Sequence, residues 1–420
     1  MLNRRKFLTD WSANFASVGL LSVTGIVLNS VIATVYGAAV LGIFNQVLAI
    51  YVLGSQLATF GIHFSVLKHV AEFHDDENAV AQCVASSLAA VALCAAITVV
   101  LFFGMFRYSP IQPFSREVGV GVFYMLPALW FFAINKTLLN ALNGRQANKL
   151  YASFVSLRYL LVLMFFVGAV LLKLPGEQLS IVLSLSEAAL LLAIVPVYWR
   201  FFPGRSGLIN FEWIKKHFHF GSRSLLGGFA VELNTRVDVL LLGIFTSNVA
   251  VGSYSFAALF VEGMLQLPLI ARRLIDPVLT RLMVQNDLRG RANLLVRGRN
   301  FGAVFMAAVG ASMAITYPWY ATWLGGREIA VASWPLFSIL TGGACIFATY
   351  AMFGGIFLQT GLPAVQTWLN LAILATNLAL NLLLVPVWGA LGAAIATSLA
   401  LAIGTMYLRF LVFRFLNVRF

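Results

Sequence analysis

Charge is scarce in this sequence: only 10% of its 420 residues are charged, while 60% are hydrophobic and the mean hydropathy is +0.89. A soluble globular domain carries about 25% charged and about 45–50% apolar residues, so the deficit excludes an ordinary water-soluble globule. Cysteine is scarcer still. Cys83, Cys94 and Cys345 are isolated thiols inside apolar stretches with no CxxC spacing, which excludes a disulfide scaffold and a cysteine-rich zinc site. The five histidines, His63, His69, His74, His217 and His219, fall at the ends of apolar stretches with no partner set at ligand spacing, so no metal is expected. No GxxxxGK[ST] segment is present to bind ATP, and no cofactor is expected. No stretch reads as a separate soluble domain, and the longest polar connection, "RRLIDPVLTRLMVQNDLRGRANLLVRGRN", covers only residues 272–300.

What is present is a succession of apolar stretches, each about 20 residues long and so able to cross roughly 30 Å of hydrocarbon as a helix. The pattern predicts twelve spans, at 12–35, 40–62, 80–106, 117–141, 150–172, 178–200, 218–245, 249–271, 300–323, 329–358, 363–385 and 389–408. The expected class is an all-α polytopic membrane protein. "NRRKFLTD" superficially resembles a twin-arginine signal, but a spanning length of apolar residues without a cleavage site follows, so an uncleaved first helix is expected.

The net charge of +13 is distributed by side rather than by patch. Sorted by alternating sides of the spans, 20 of the 28 cationic residues fall on one side and only Arg107, Arg116, Lys173 and Arg327 on the other. The asymmetry points to cytoplasmic termini and to attraction for anionic membrane lipids, and it argues against nucleic acid as a partner. Trp199, Trp213, Trp319, Trp323, Trp334 and Trp388 near span ends read as an interfacial belt. Pro127, Pro268 and Pro335 lie inside spans, where broken backbone is tolerated against protein or water, and are candidate kinks.

"AAVLGIFNQVLAIYVLGSQL" from residue 38 and "NVAVGSYSFAALFVEGMLQL" from residue 248 align without a gap at an offset of 210, pairing Gly42 with Gly252. A second pair, "LNGRQANKLYAS" and "LQTGLPAVQTWL", fits with a small shift. The repeats imply two six-helix bundles, residues 1–210 and 211–420, related by an axis along the membrane normal around a central cavity.

"VYGAAVLGIFN", "ATFGIHFSVLKHVAEF", "RVDVLLLGIFTSNVAVGSYSFAALFVEGMLQLPL" and "NLLLVPVWGALGAAIATSLA", in that order, resemble the polysaccharide flippase branch of the multidrug/oligosaccharidyl-lipid/polysaccharide exporter superfamily, the Wzx-type O-antigen flippases. The resemblance implies a bacterial inner-membrane transporter, not an enzyme. Its substrate would be an undecaprenyl-pyrophosphate-linked oligosaccharide, moved to the periplasmic leaflet by alternating access, with a glycan polymerase of the same pathway as a partner.

Charges within the spans are costly and normally face protein or water. "VELNTRVDV" places Glu232 and Arg236 four apart on one face of the seventh span, with Asn234 and Asp238 nearly opposite. The intramembrane bases are Lys136, Arg158, Arg223 and Arg236, and the acids are Glu187, Glu232, Asp238 and Glu262. For a pyrophosphate substrate the bases are the anion-binding candidates, with Arg236 foremost because its planar fork matches phosphate. The acids are candidates for lining the pathway or for coupling to a proton or cation gradient. A structural ion pair between Glu232 and Arg236, and snorkelling of Lys136 and Arg223, are the alternatives. Two rival functions are weighed. A cation-coupled antiporter of the same superfamily typically carries an acid and a proline in its first helix, and this sequence has neither there. A membrane glycan polymerase or glycosyltransferase needs a large polar loop with paired carboxylates, which is also missing.

Overall fold

The structure is a computed structural model that describes residues 4–108, 113–201, 209–285 and 288–416. It is all helical, with no strand among the described residues: α1 (Arg4–Thr59), α2 (Ile62–Glu72), α3 (Glu77–Tyr108), α4 (Arg116–Gly144), α5 (Asn148–Leu171), a 3₁₀ turn (Gly176–Gln178), α6 (Ile181–Phe201), α7 (Phe211–Phe245), α8 (Asn248–Val284), α9 (Leu288–Gly325), α10 (Arg327–Ala351), α11 (Ile356–Gln359) and α12 (Pro363–Leu416). Among the described residues, nine helices are long and apolar enough to cross a membrane, and the chain is a multi-pass membrane protein.

Two helices are far longer than one crossing requires. At 1.5 Å per residue, α1 and α12 would each extend about 80 Å if straight, more than twice the hydrocarbon thickness. Each is interrupted by a glycine outside helical geometry, Gly37 at φ 85° and Gly389 at φ 55°. Positive φ is close to cost-free only for glycine. These breaks fall where the sequence pattern separates spans 12–35 from 40–62 and meets the start of 389–408. The seventh expected span lies in α7, which is not among the nine because Glu232, Arg236 and Asp238 occupy its apolar half.

The basic stretch 272–300 differs from expectation. Rather than a polar connection, it is helix on both sides, continuing α8 to Val284 and starting α9 at Leu288. Leu279 and Leu295, each fully buried, carry these extensions onto Phe353, Ile356 and Phe357. Apolar residues at helical spacing between the arginines give the stretch a packing face that its charge density conceals.

The helices form two compact units, one of Met1–Leu28 with Ile43–Glu232 and the other of Asn29–Gly42 with Leu233–Phe420. The expected halves at 1–210 and 211–420 are drawn from the repeat, whereas these units are drawn from packing. Asn29–Gly42 belongs to the second unit because α1 crosses α8 there at backbone contact. A Cβ on Gly42 would stand 1.9 Å from the Asn248 carbonyl oxygen, and one on Gly252 would stand 1.9 Å from that of Ala38. Ala38 and Asn248, like Gly42 and Gly252, are 210 residues apart, so the crossing is reciprocal between positions that the repeat pairs. Small residues let helix backbones approach in lipid, where no hydrophobic force drives helices together.

In the first unit, α4 and α6 run parallel and are joined at Pro127. Proline removes a helical N–H and crowds the preceding turn, and an unpaired backbone group in lipid costs several kcal/mol. Ser184 fills the gap, accepting from Ala128 N–H at 3.2 Å and donating to the Tyr124 carbonyl at 2.7 Å. Ser180 donates to the Gly121 carbonyl at 2.6 Å one turn earlier. This register brings Glu187, one turn after Ser184, level with Asn135 and Lys136.

Candidate functional site

In the first unit, Glu187 of α6 is 3% exposed and receives Arg158 of α5, with Nε 2.8 Å from Oε1 and Nη2 donating to Oε2 at 3.3 Å. Asn135 of α4 donates from Nδ2 to Oε2 and to the Glu187 main-chain carbonyl, each at 2.8 Å. Tyr51 of α1 donates to Oε1 at 3.4 Å. Phe132 takes both neighbouring cations on its ring, Arg158 at 4.9 Å and Lys136 at 5.4 Å from the centroid, geometry suited to cation–π attraction. Lys136 also lies within electrostatic reach of Glu232. The Glu187 carboxylate is thus met from α1, α4 and α5, and the pair is enclosed.

In the second unit the charges are arranged differently. Asp238 of α7 is 8% exposed and forms no ion pair among the described residues, with Arg236 only within electrostatic reach; it accepts from Val239 N–H at 2.8 Å and from the Tyr254 hydroxyl of α8, which also lies 3.3 Å from Thr397 Oγ1 of α12. One turn earlier, Asn234 accepts from Asn377 of α12, which in turn accepts from Asn381. Arg236 lies on another face. Its Nη1 is 3.4 Å from Glu262 Oε1 of α8, and the two side chains are 25% and 49% exposed. A single contact at that length, open to its surroundings, is far weaker than the forked, enclosed pair at Glu187.

The sequence matches the polysaccharide biosynthesis protein family over residues 7–283. The chain belongs to that family. Among curated proteins no relative of the sequence is found. Solved structures share its fold at low identity. The lipid II flippase MurJ in an inward closed conformation is 13% identical with a TM-score of 0.79, covering 96% of this chain and 87% of that one. An inward-facing multidrug resistance MATE family transporter of the MOP superfamily is also 13% identical, with a TM-score of 0.66 and coverage of 94% and 92%. The Vibrio cholerae MATE transporter VcmN in its bent form is 14% identical, with a TM-score of 0.56 and coverage of 98% of each chain.

For this polysaccharide biosynthesis family member, the structure sorts the eight intramembrane charges expected from the sequence. Arg158 joins Glu187, Arg236 joins Glu262, Lys136 sits near Arg158 and Glu232, Asp238 is buried among hydroxyl and backbone donors, and Arg223 is exposed and in no ion pair among the described residues. The spacing that pairs Glu232 with Arg236 overlooks α8, whose Glu262 supplies a carboxylate to Arg236. Sequence reasoning also missed Tyr51, Asn135, Tyr254, Thr397, Asn377 and Asn381. Of these, Asn377 and Asn381 carried a signal, two amides four apart in an apolar run. The hydroxyls carried none, because an isolated Tyr or Thr in a span is indistinguishable from packing until its neighbour is known.

Five of the six expected belt tryptophans are exposed, whereas Trp213 is 7% exposed and packs in a histidine cluster. There His217 Nε2 lies 3.0 Å from the Cys83 carbonyl and its Nδ1 2.9 Å from Ser65 Oγ, while His69 Nδ1 lies 2.8 Å from the Ser65 carbonyl. Trp213 stacks on the His217 ring at 5.9 Å. The cluster ties the start of α7, ahead of its apolar part, to α2 and α3. Among the described residues no group of three His, Cys, Asp or Glu is placed to hold a metal. Burial pushes the His217 ring down to about 4 and lowers His69 as well, both from the ordinary 6.5. The unfolded chain therefore takes up these protons first as the pH falls, so stability is fully present above about pH 6.5 and declines toward pH 4. The melting temperature of the purified protein is expected to drop across that window, and His217→Gln, which cannot titrate, to flatten the drop. An unchanged acid slope in the variant would refute the assignment.

Proposed function

We propose that the chain is a flippase that carries undecaprenyl-pyrophosphate-linked oligosaccharide repeat units across the bacterial inner membrane for O-antigen or a related surface polysaccharide. It is a transporter rather than an enzyme. It works by alternating access coupled to a proton or cation gradient, with both termini cytoplasmic and a glycan polymerase of the same pathway receiving the product. Membership of a polysaccharide biosynthesis family and a fold shared with the lipid II flippase MurJ support this reading.

The observation that carries it is the contrast between the two arginine–glutamate pairs. Arg158 is held by an enclosed carboxylate that also satisfies Asn135 and Tyr51, so it is the structural member. Arg236 has one long contact and a half-exposed partner, so a pyrophosphate can displace Glu262 and receive the planar fork. Lys136 and Arg223 are secondary contacts for the anion. Asp238, buried among hydroxyl and backbone donors and in no ion pair among the described residues, is the acid assigned to coupling, and Glu232 and Glu262 line the pathway beside it.

The test is surface-glycan display in strains lacking their own flippase, with membrane levels measured for each variant. Arg236→Ala is expected to reduce display roughly tenfold or more at normal protein level, the scale of losing a charge-assisted contact worth about 1.5–3 kcal/mol. Arg236→Lys should restore part of it. Asp238→Asn, which keeps an oxygen for Val239 N–H but cannot ionise, should fold and yet lower display. Wild-type display in Arg236→Ala, or failure of the wild-type chain across hosts with different repeat units, would overturn the proposal.

A further inference from the structure

The side of the membrane that is poor in cations holds only Arg107, Arg116, Lys173 and Arg327, yet two of these four meet at one cavity. It lies where α3 ends and α4 begins, has a volume of about 540 Å³, and is lined by Arg107 and Arg116 together with Met105, Phe106, Phe114 and Phe123. Its floor is built rather than open: Phe106 stacks on Phe114 at 6.1 Å and 20°, and Phe123 meets Phe103 edge-on at 5.5 Å. Both arginines are exposed, and neither is in an ion pair among the described residues. Ser115 caps α4 beside them, its Oγ accepting from Val118 N–H at 3.4 Å, and Glu117 occupies the same first turn, so the guanidinium groups rather than the helix start supply the positive charge.

Below the cavity, the outer face of α3 is an uninterrupted apolar strip of Leu93, Ile97, Val100 and Leu101, exposed by 56%, 51%, 68% and 64%. We infer that this cavity is a binding site for an anionic phospholipid, its phosphodiester held between Arg107 and Arg116 and its acyl chains lying on the Phe106, Phe114 and Phe123 floor and down the α3 strip. The charge arrangement selects the headgroup sign. Arginine offers a planar fork to phosphate oxygens, and two cations at one point would otherwise repel each other at a membrane surface. The apolar strip selects a lipid over a free anion, because a soluble phosphate gains nothing from it. Lys173 and Arg327 do not line this cavity, so the charge is concentrated here rather than spread along the face.

The experiment is native mass spectrometry of the full chain released from mixed vesicles of phosphatidylglycerol and phosphatidylcholine, together with thermal melting in detergent supplemented with each lipid or with inorganic phosphate. Wild type is expected to retain phosphatidylglycerol in preference to phosphatidylcholine and to melt higher with it, while inorganic phosphate leaves the melting point unchanged. The double variant Arg107→Gln/Arg116→Gln should lose at least roughly tenfold of the retained anionic lipid, the scale of one charge-assisted contact. Arg107→Lys/Arg116→Lys, which keeps the charge, should retain most of it, and Lys173→Gln on the same face should behave as wild type. Equal retention in the glutamine variant, equal retention of phosphatidylcholine, or stabilisation by inorganic phosphate alone would each overturn the inference.

Discussion

Replacing either Arg158 or Glu187 by alanine is expected to destabilise the protein by roughly 3–5 kcal/mol, the cost of leaving one member of a buried pair without its counter-charge. Glu187 is 3% exposed and its carboxylate accepts from Arg158, Asn135 and Tyr51, so no water is at hand to take over when a partner is removed. The loss is in the orphaned charge rather than in the net value of the pair. Accordingly, Arg158→Leu/Glu187→Leu, which removes both charges and keeps volume, should recover most of the stability. Asn135 keeps its bond to the residue 187 main-chain carbonyl in every variant, which anchors α4 to α6 in the double mutant. Thermal unfolding of the detergent-purified chain, with abundance in membranes as a second readout, measures the cycle. Single variants within about 1 kcal/mol of wild type, the level of an exposed ion pair, would show that the site is hydrated, and a double variant worse than both singles would show that the pair does more than hold the fold.

The second large effect is expected at the glycine crossing. A Cβ at Gly42 or Gly252 meets a backbone carbonyl oxygen at 1.9 Å, and reaching ordinary contact requires the helices to part by roughly 1.5 Å. Overpacking of that kind typically costs about 1–3 kcal/mol even for one methyl group, so Gly42→Ala and Gly252→Ala should each lower the melting temperature and isoleucine at either position should lower it further. The reciprocity makes a sharper claim. Once one methyl has separated α1 from α8, the second fits at little extra cost, so the double alanine variant should be clearly less than additive. Additive losses would mean that the two contacts yield independently, and a neutral effect at either site would mean that the crossing is loose.

Much of the architecture was legible because lipid imposes simple rules. A stretch of about 20 apolar residues has to satisfy its backbone internally and therefore forms a helix, so α3, α4, α5 and α6 fall close to the spans drawn from the pattern. The rule is weaker where apolarity is diluted. The arginine-rich 272–300 stretch hid two helical extensions held by Leu279 and Leu295, and Trp213, placed by type in an interfacial belt, is a buried member of the histidine cluster. In both cases the deciding contact comes from another helix far along the chain.

The candidate site follows the same division. Residue chemistry and depth alone picked out Lys136, Arg158, Glu187, Arg223, Glu232, Arg236, Asp238 and Glu262, because a charge in a span is expensive and so carries meaning wherever it stands. Spacing within one helix could not choose their partners. Glu232 and Arg236 share a face by arithmetic, but Glu262 approaches Arg236 from α8, and Tyr254, sixteen residues from Asp238 in sequence, reaches its carboxylate from the same helix. Composition and hydropathy pattern suffice for a helical membrane protein with charges at depth and a repeat at an offset of 210. Which arginine is enclosed and which is accessible depends on which helices pack side by side, and no periodicity along a single helix records its neighbours.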